Sequence, residues 1–124
     1  MNSIIQKILE EHDKWSDPEY CLQAVKENGE NLELVKIQTP EICLAAIQED
    51  GRSLEYVKNQ TPDLCMAAVQ QNGRALKFVK HQTPEICAAA IKQYPEIYRC
   101  IRLPKDENER DKFLRELGLL LLSA

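Results

Sequence analysis

Five cysteines are the first candidates for chemistry. Cys21, Cys43, Cys65 and Cys87 recur every 22 residues, and Cys100 stands outside that series. Thiols form disulfides only where their Cα atoms come within about 7 Å. A 22-residue spacing instead places the four in successive layers of packed helices, about 8 to 10 Å apart. No CxxC or CxxH pair supplies a zinc half-site. The four therefore read as buried structural thiols, free cysteine being among the most buried residue types. The alternative is a thiol-based redox or metal-responsive protein, in which Cys100 is the more reactive group.

Other residue types offer less. His81 falls at a repeat position that Ile37 and Asn59 also hold, which reads as an exposed linker, and the other histidine, His12, has no catalytic company. Glu41, Asp63 and Glu85 each follow a helix-starting proline, where an acid is already favoured by the helix dipole. No phosphate-binding glycine loop, nucleophile elbow or HExxH motif occurs. No catalytic residue, cofactor or metal is expected, and the chain reads as a non-enzymatic protein.

The scaffold behind these residues is an internal repeat. Sliding the chain by 22 residues superimposes DPEYCLQAVKENGENLELVKIQ, TPEICLAAIQEDGRSLEYVKNQ, TPDLCMAAVQQNGRALKFVKHQ and TPEICAAAIKQYPEIYRCIRLP, which cover residues 17–104 without a gap. Self-similarity at this period marks a solenoid, in which each unit buries its apolar face only against its neighbours. Each unit opens with Asp or Thr as helix cap, then proline at the first helical position, then an acid. Ile42, Cys43, Ala46 and Ile47 make one helical stripe. Asn28-Gly29, Asp50-Gly51 and Asn72-Gly73 end these helices, and the glycines are expected in the left-handed conformation of a helix C-terminus. A shorter second helix fits Leu32 and Val35, Leu54 and Val57, or Leu76 and Val79. A leucine-rich repeat is rejected because no stretch alternates with period two.

The predicted fold is all-α, a short α-solenoid of helical hairpins with amino- and carboxy-terminal capping helices, in one domain. The first cap spans 3–15, opening on a Ser3 to Gln6 capping box, with Ile4, Ile5, Ile8 and Leu9 covering the first repeat. Four repeats follow over 17–104. The fourth diverges, with Tyr94-Pro95 in place of Asn-Gly and with Tyr98, Cys100 and Ile101 in the slots of Leu76, Phe78 and Val79. The last helix spans 106–122 and presents Phe113, Leu114, Leu117, Leu120 and Leu121 on its packed face.

A net charge of −4 from 16 basic and 20 acidic residues has the wrong sign for a protein held on phosphates, so nucleic acid and anionic membrane are not expected partners. The first fifteen residues are too charged for a secretory signal, and the run Leu119 to Leu122 is far short of a membrane span. A cytosolic origin is expected.

Binding is therefore sought on surfaces. Leu22, Leu44, Met66 and Ala88 form an apolar ladder beside the core stripe, serving either inter-repeat packing or a partner-binding groove. Positions 30, 52 and 74 run Glu, Arg, Arg, and 33, 55 and 77 run Glu, Glu, Lys, so Arg52, Arg74 and Lys77 give the surface a direction and a candidate polar rim. Leu117, Leu119, Leu120 and Leu122 are the candidate interface of a homodimer. The competing expectation is that the last helix folds over the solenoid end and buries them all. A purely structural homo-oligomer is a further alternative.

Residues 17–102, the second unit most fully, also resemble a bacterial tandem-repeat domain of unknown function. Its units read approximately Thr-Pro-Glu, an aliphatic residue, Cys-Leu, Ala-Val, Asn-Gly and Leu-x-Tyr-Val, here matched by Pro40, Cys43, Ala46, Gly51, Leu54, Tyr56 and Val57. The first unit departs at Asp17 and Leu34, and the fourth lacks the Asn-Gly turn. The resemblance implies no catalytic residues. It implies a place among secreted effectors of intracellular bacteria such as Legionella, hence a bacterial cytoplasm with translocation into a host cell. For a short chain it implies a regulator that binds and inhibits ubiquitin-deamidating and transglutaminating effector enzymes.

Overall fold

A computed structural model describes residues 2–123. The described chain is all-α: α1 Ser3–Lys14, α2 Pro18–Glu27, α3 Pro40–Glu49, α4 Pro62–Gln71, α5 Pro84–Gln93 and α6 Glu107–Leu122. Between them run four 3₁₀-helices, η1 Gly29–Leu34, η2 Gly51–Tyr56, η3 Gly73–Phe78 and η4 Pro95–Cys100. Successive α-helices pack side by side from α2 to α6, and successive 3₁₀-helices pack in a second row. The result is a short α-solenoid of repeated helical units.

The capping residues explain where each α-helix starts. The hydroxyl oxygens of Thr39, Thr61 and Thr83 accept the N–H of Ile42, Leu64 and Ile86 at 3.2 Å, and Asp17 caps α2 through Glu19 at 3.1 Å. The shorter second helix of each hairpin is a 3₁₀-helix. Asn28, Asp50 and Asn72 do two jobs there. Each adopts an extended backbone that ends one helix, and each side chain accepts the N–H two residues on, at 3.0 Å, to open the next.

The glycines correct the sequence reading. No glycine among the described residues has a positive φ, so none serves as a left-handed cap. They permit close packing of units instead. A Cβ on Gly51 would stand 2.5 Å from the Ala68 carbonyl oxygen of the next unit, and one on Gly73 would stand 2.9 Å from that of Ala90. Each turn is pressed against the following α-helix, where only hydrogen fits.

The core runs between the two rows. Leu32, Leu54 and Leu76 are fully buried, with Val25, Ile47, Val69 and the four periodic cysteines. Cys100 is only half-buried. In the fourth unit Tyr98 keeps the register of Leu76 but is exposed, because no further 3₁₀-helix follows η4; Ile97 is buried instead.

The amino-terminal end also departs from expectation. Asn2, not Ser3, caps α1, accepting the Ile4 N–H at 2.8 Å. Ile4, Ile5, Ile8 and Leu9 do not cover the first repeat, for all four are exposed and α1 has no buried residue. The reason lies in the unit they were expected to cover. Where later units place Ile42, Leu64 or Ile86 against the preceding layer, the first has the exposed Tyr20, and where they place Ala45, Ala67 or Ala89 it has the exposed Gln23. That end is already polar, as terminal repeats require. Trp15, edge-to-face with Tyr20 at 5.2 Å, closes the core there.

Candidate functional site

The surface is positioned by a ladder of glutamine side chains. The Gln38 amide donates to the Tyr56 carbonyl at 2.7 Å and its oxygen accepts the Lys58 N–H at 2.9 Å. Gln60 repeats this with Phe78 and Lys80, and Gln82 with Cys100 and Arg102. Each satisfies backbone groups left over where a 3₁₀-helix ends. The same oxygens accept the thiols of Cys43 and Cys65. At the first layer, Ser16 stands in the glutamine register and the Trp15 carbonyl takes over, accepting the Lys36 N–H at 3.0 Å and the Cys21 thiol at 3.3 Å. A second pair, Gln71 and Gln93, accepts the N–H of Gly51 and Gly73. The sequence signal for these glutamines is their 22-residue recurrence, which the cysteine and capping patterns do not include.

Cys21, Cys43 and Cys65 are held as donors inside this ladder. Burial pushes the thiols of Cys21, Cys43 and Cys65 up from their ordinary value, and that of Cys87 to about 11. A raised pKa suppresses the thiolate that redox and metal chemistry require.

The proposed rim residues separate. Arg52 folds back on Asp50, its guanidinium reaching the carboxylate at 3.1 Å, and this contact holds the Asp50 carboxyl below its ordinary range. Lys77 lies 5.0 Å over the Phe78 ring and shares a shallow hollow with Arg52, Glu30, Glu55 and Tyr56. Arg74 stacks 4.7 Å over Tyr94, outside that lining. The apolar ladder is partial. Leu22 and Met66 are half-buried against the core and Leu44 is 38% exposed, whereas Ala88 is buried on α5, the helix that α6 packs against.

In α6 the proposed interface divides. Leu117 is 6% exposed and packs with Phe113 into the protein's own core, and Leu120 is half-buried against it, so neither is a free contact residue. Leu119 at 70% and Leu122 at 85% project into solvent. Leu114 and Leu121, expected on the packed face, are exposed as well. The helix lies on one neighbour, α5, and one neighbour covers only one stripe of a helix.

Two overlapping stretches, residues 17–61 and 39–82, match the family described as a domain of unknown function (DUF4116). Together they span residues 17–82 of the 124. The chain belongs to this family. The family unit is legible in the structure, for each match begins at a helix-capping residue, Asp17 or Thr39, and spans two hairpins. The divergent fourth unit, α1 and α6 lie outside the matched stretch. No curated protein and no solved structure matches the chain.

Proposed function

We propose that the protein is a non-enzymatic binding module that regulates another protein by occupying its surface. The observation that carries this reading is the number of large apolar side chains held in solvent by a scaffold whose core is already filled. Ile4, Ile5, Ile8 and Leu9 on α1 and Leu119 and Leu122 on α6 all stand exposed, and such patches mark interfaces. The repeat resemblance points to bacterial effector enzymes that deamidate or transglutaminate ubiquitin as the partner class, with inhibition as the outcome and a host cell as the setting. Light scattering of the purified protein, alone and mixed with such enzymes, tests this, together with their activity on ubiquitin. A stable complex with loss of activity is expected. Unchanged masses and full activity across the class would overturn the inhibitor assignment.

A homodimer through α6 is a second reading, favoured by Leu119 and Leu122. The thiol-based alternative is disfavoured by the burial of the four periodic cysteines.

A further inference from the structure

One edge of the solenoid carries a cation in every layer. Lys36, Lys58, Lys80 and Arg102 share one register, 22 residues apart, and all four are exposed. Their positions are rigidly set, because their backbone N–H groups are the ones captured by Trp15, Gln38, Gln60 and Gln82. Among the described residues none of the four forms an ion pair. The Arg102 guanidinium donates to the Val79 and Lys80 carbonyls, which fixes it beside Lys80.

Along this edge, from Lys58 to Arg102, three shallow hollows run into one another, and Lys36 lies outside their lining. The first two share Lys58, Asn59 and Thr61, and the second and third share Lys80 and His81. Glu109, at the far end, is the one acid lining them among the described residues. In a chain of net charge −4, this is a concentrated positive strip.

We infer that this groove docks an extended acidic segment of a partner protein, bearing one carboxylate at every third residue. The inference rests on the protein-binding reading above and names the surface and the chemistry it takes. The spacing decides the period. Packed helical layers repeat at about 8 to 10 Å, and a chain in the extended polyproline II conformation rises about 3.1 Å per residue with about three residues per turn, so every third side chain faces the groove once per layer. A nucleic acid fits worse. Its charges are closer together than the lysines.

The test uses the full-length protein and a labelled synthetic peptide of repeated Glu-Gly-Ser triplets, long enough to reach from Lys36 to Arg102. A peptide of the same composition with its glutamates adjacent is the comparison. Fluorescence anisotropy is expected to give about tenfold tighter binding of the periodic peptide, weakening as salt is raised. Lys58→Glu with Lys80→Glu should weaken it at least about tenfold, whereas Lys26→Glu with Lys92→Glu, the same charge change elsewhere, should leave the periodic preference intact. Circular dichroism checks folding, and Lys58→Gln with Lys80→Gln replaces the reversal pair if that pair does not fold. Equal affinity for both peptides, no measurable binding, or tighter binding of single-stranded DNA would each overturn the inference. The peptide assay needs no native partner. Its failure therefore leaves the binding-module reading standing on the mixing experiment.

Discussion

The side-chain oxygen of Gln60 accepts the Cys65 thiol at 3.4 Å, and the same oxygen accepts the backbone N–H of Lys80. One amide thus joins the start of α4 to the end of η3, and it satisfies backbone groups that the end of the 3₁₀-helix leaves over. This contact, repeated by Gln38 and replaced by a carbonyl at Trp15, turns a string of hairpins into a stack.

Removing it should be costly. Gln60→Ala leaves the Phe78 carbonyl and the Lys80 N–H without their partner, and a loss of about 2 to 4 kcal/mol is expected in urea unfolding. Lys80→Ala keeps the backbone donor and should change stability by less than about 0.5 kcal/mol. Equal losses in the two variants would contradict the ladder.

Two glycines should respond with opposite signs. Gly51→Ala drives a methyl against the Ala68 carbonyl and is expected to destabilise by about 1 to 3 kcal/mol. At Gly118, within α6, an added Cβ meets nothing within 4 Å, so Gly118→Ala should stabilise by about 0.5 to 1 kcal/mol. Thermal melts of the two variants check both.

The thiols make stability fall in alkali. A buried thiol with a raised pKa stays protonated in the folded state while the unfolded chain ionises, so folding stability is fully present below the ordinary thiol value and is lost as pH rises. For Cys87 that window runs from 9.0 to about 11. Cys87→Ala should flatten the decline in denaturation midpoint across that range. In the native protein below it, a thiol-reactive dye should label Cys100 first, since Cys100 alone of the five is not fully buried. Rapid labelling of all five would refute the burial.

The leucines of α6 divide into two classes. Leu117→Ala should cost about 2 to 4 kcal/mol, because its side chain fills the protein's own core. Leu119→Lys with Leu122→Lys should leave the monomer's stability within about 0.5 kcal/mol. If α6 joins two copies, this pair converts a dimeric mass to a monomeric one by light scattering. A dimer that survives the pair excludes that face.

The amino-terminal helix should prove energetically silent in the isolated protein. Ile5→Asp with Ile8→Asp is expected to leave the urea midpoint almost unchanged, as neither side chain is buried. Trp15→Ala removes the ring that closes the core and should cost about 2 kcal/mol or more. A large loss from the isoleucine pair would mean that α1 packs on the solenoid in solution.

Signals confined to a turn or two of chain were legible in advance. The Thr-Pro-Glu starts, the helical stripe around Cys43 and the 22-residue period together determine an all-α solenoid and the burial of its periodic cysteines. Each depends on residues close in sequence or on their repetition. Tertiary structure decided the rest. The glycines read as left-handed caps because Asn-Gly is locally a helix end, but their reason is the carbonyl of the next unit, which local sequence does not contain. The apolar stripe of α1 predicts burial without saying against what; the polar Tyr20 and Gln23 layer removed the expected partner. Leu117 and Leu119 are alike in composition and two residues apart, and only the direction from which α5 approaches separates a core residue from a solvent-exposed one. The glutamine ladder joins groups eighteen and twenty residues apart, and such a contact exists only once the layers have stacked.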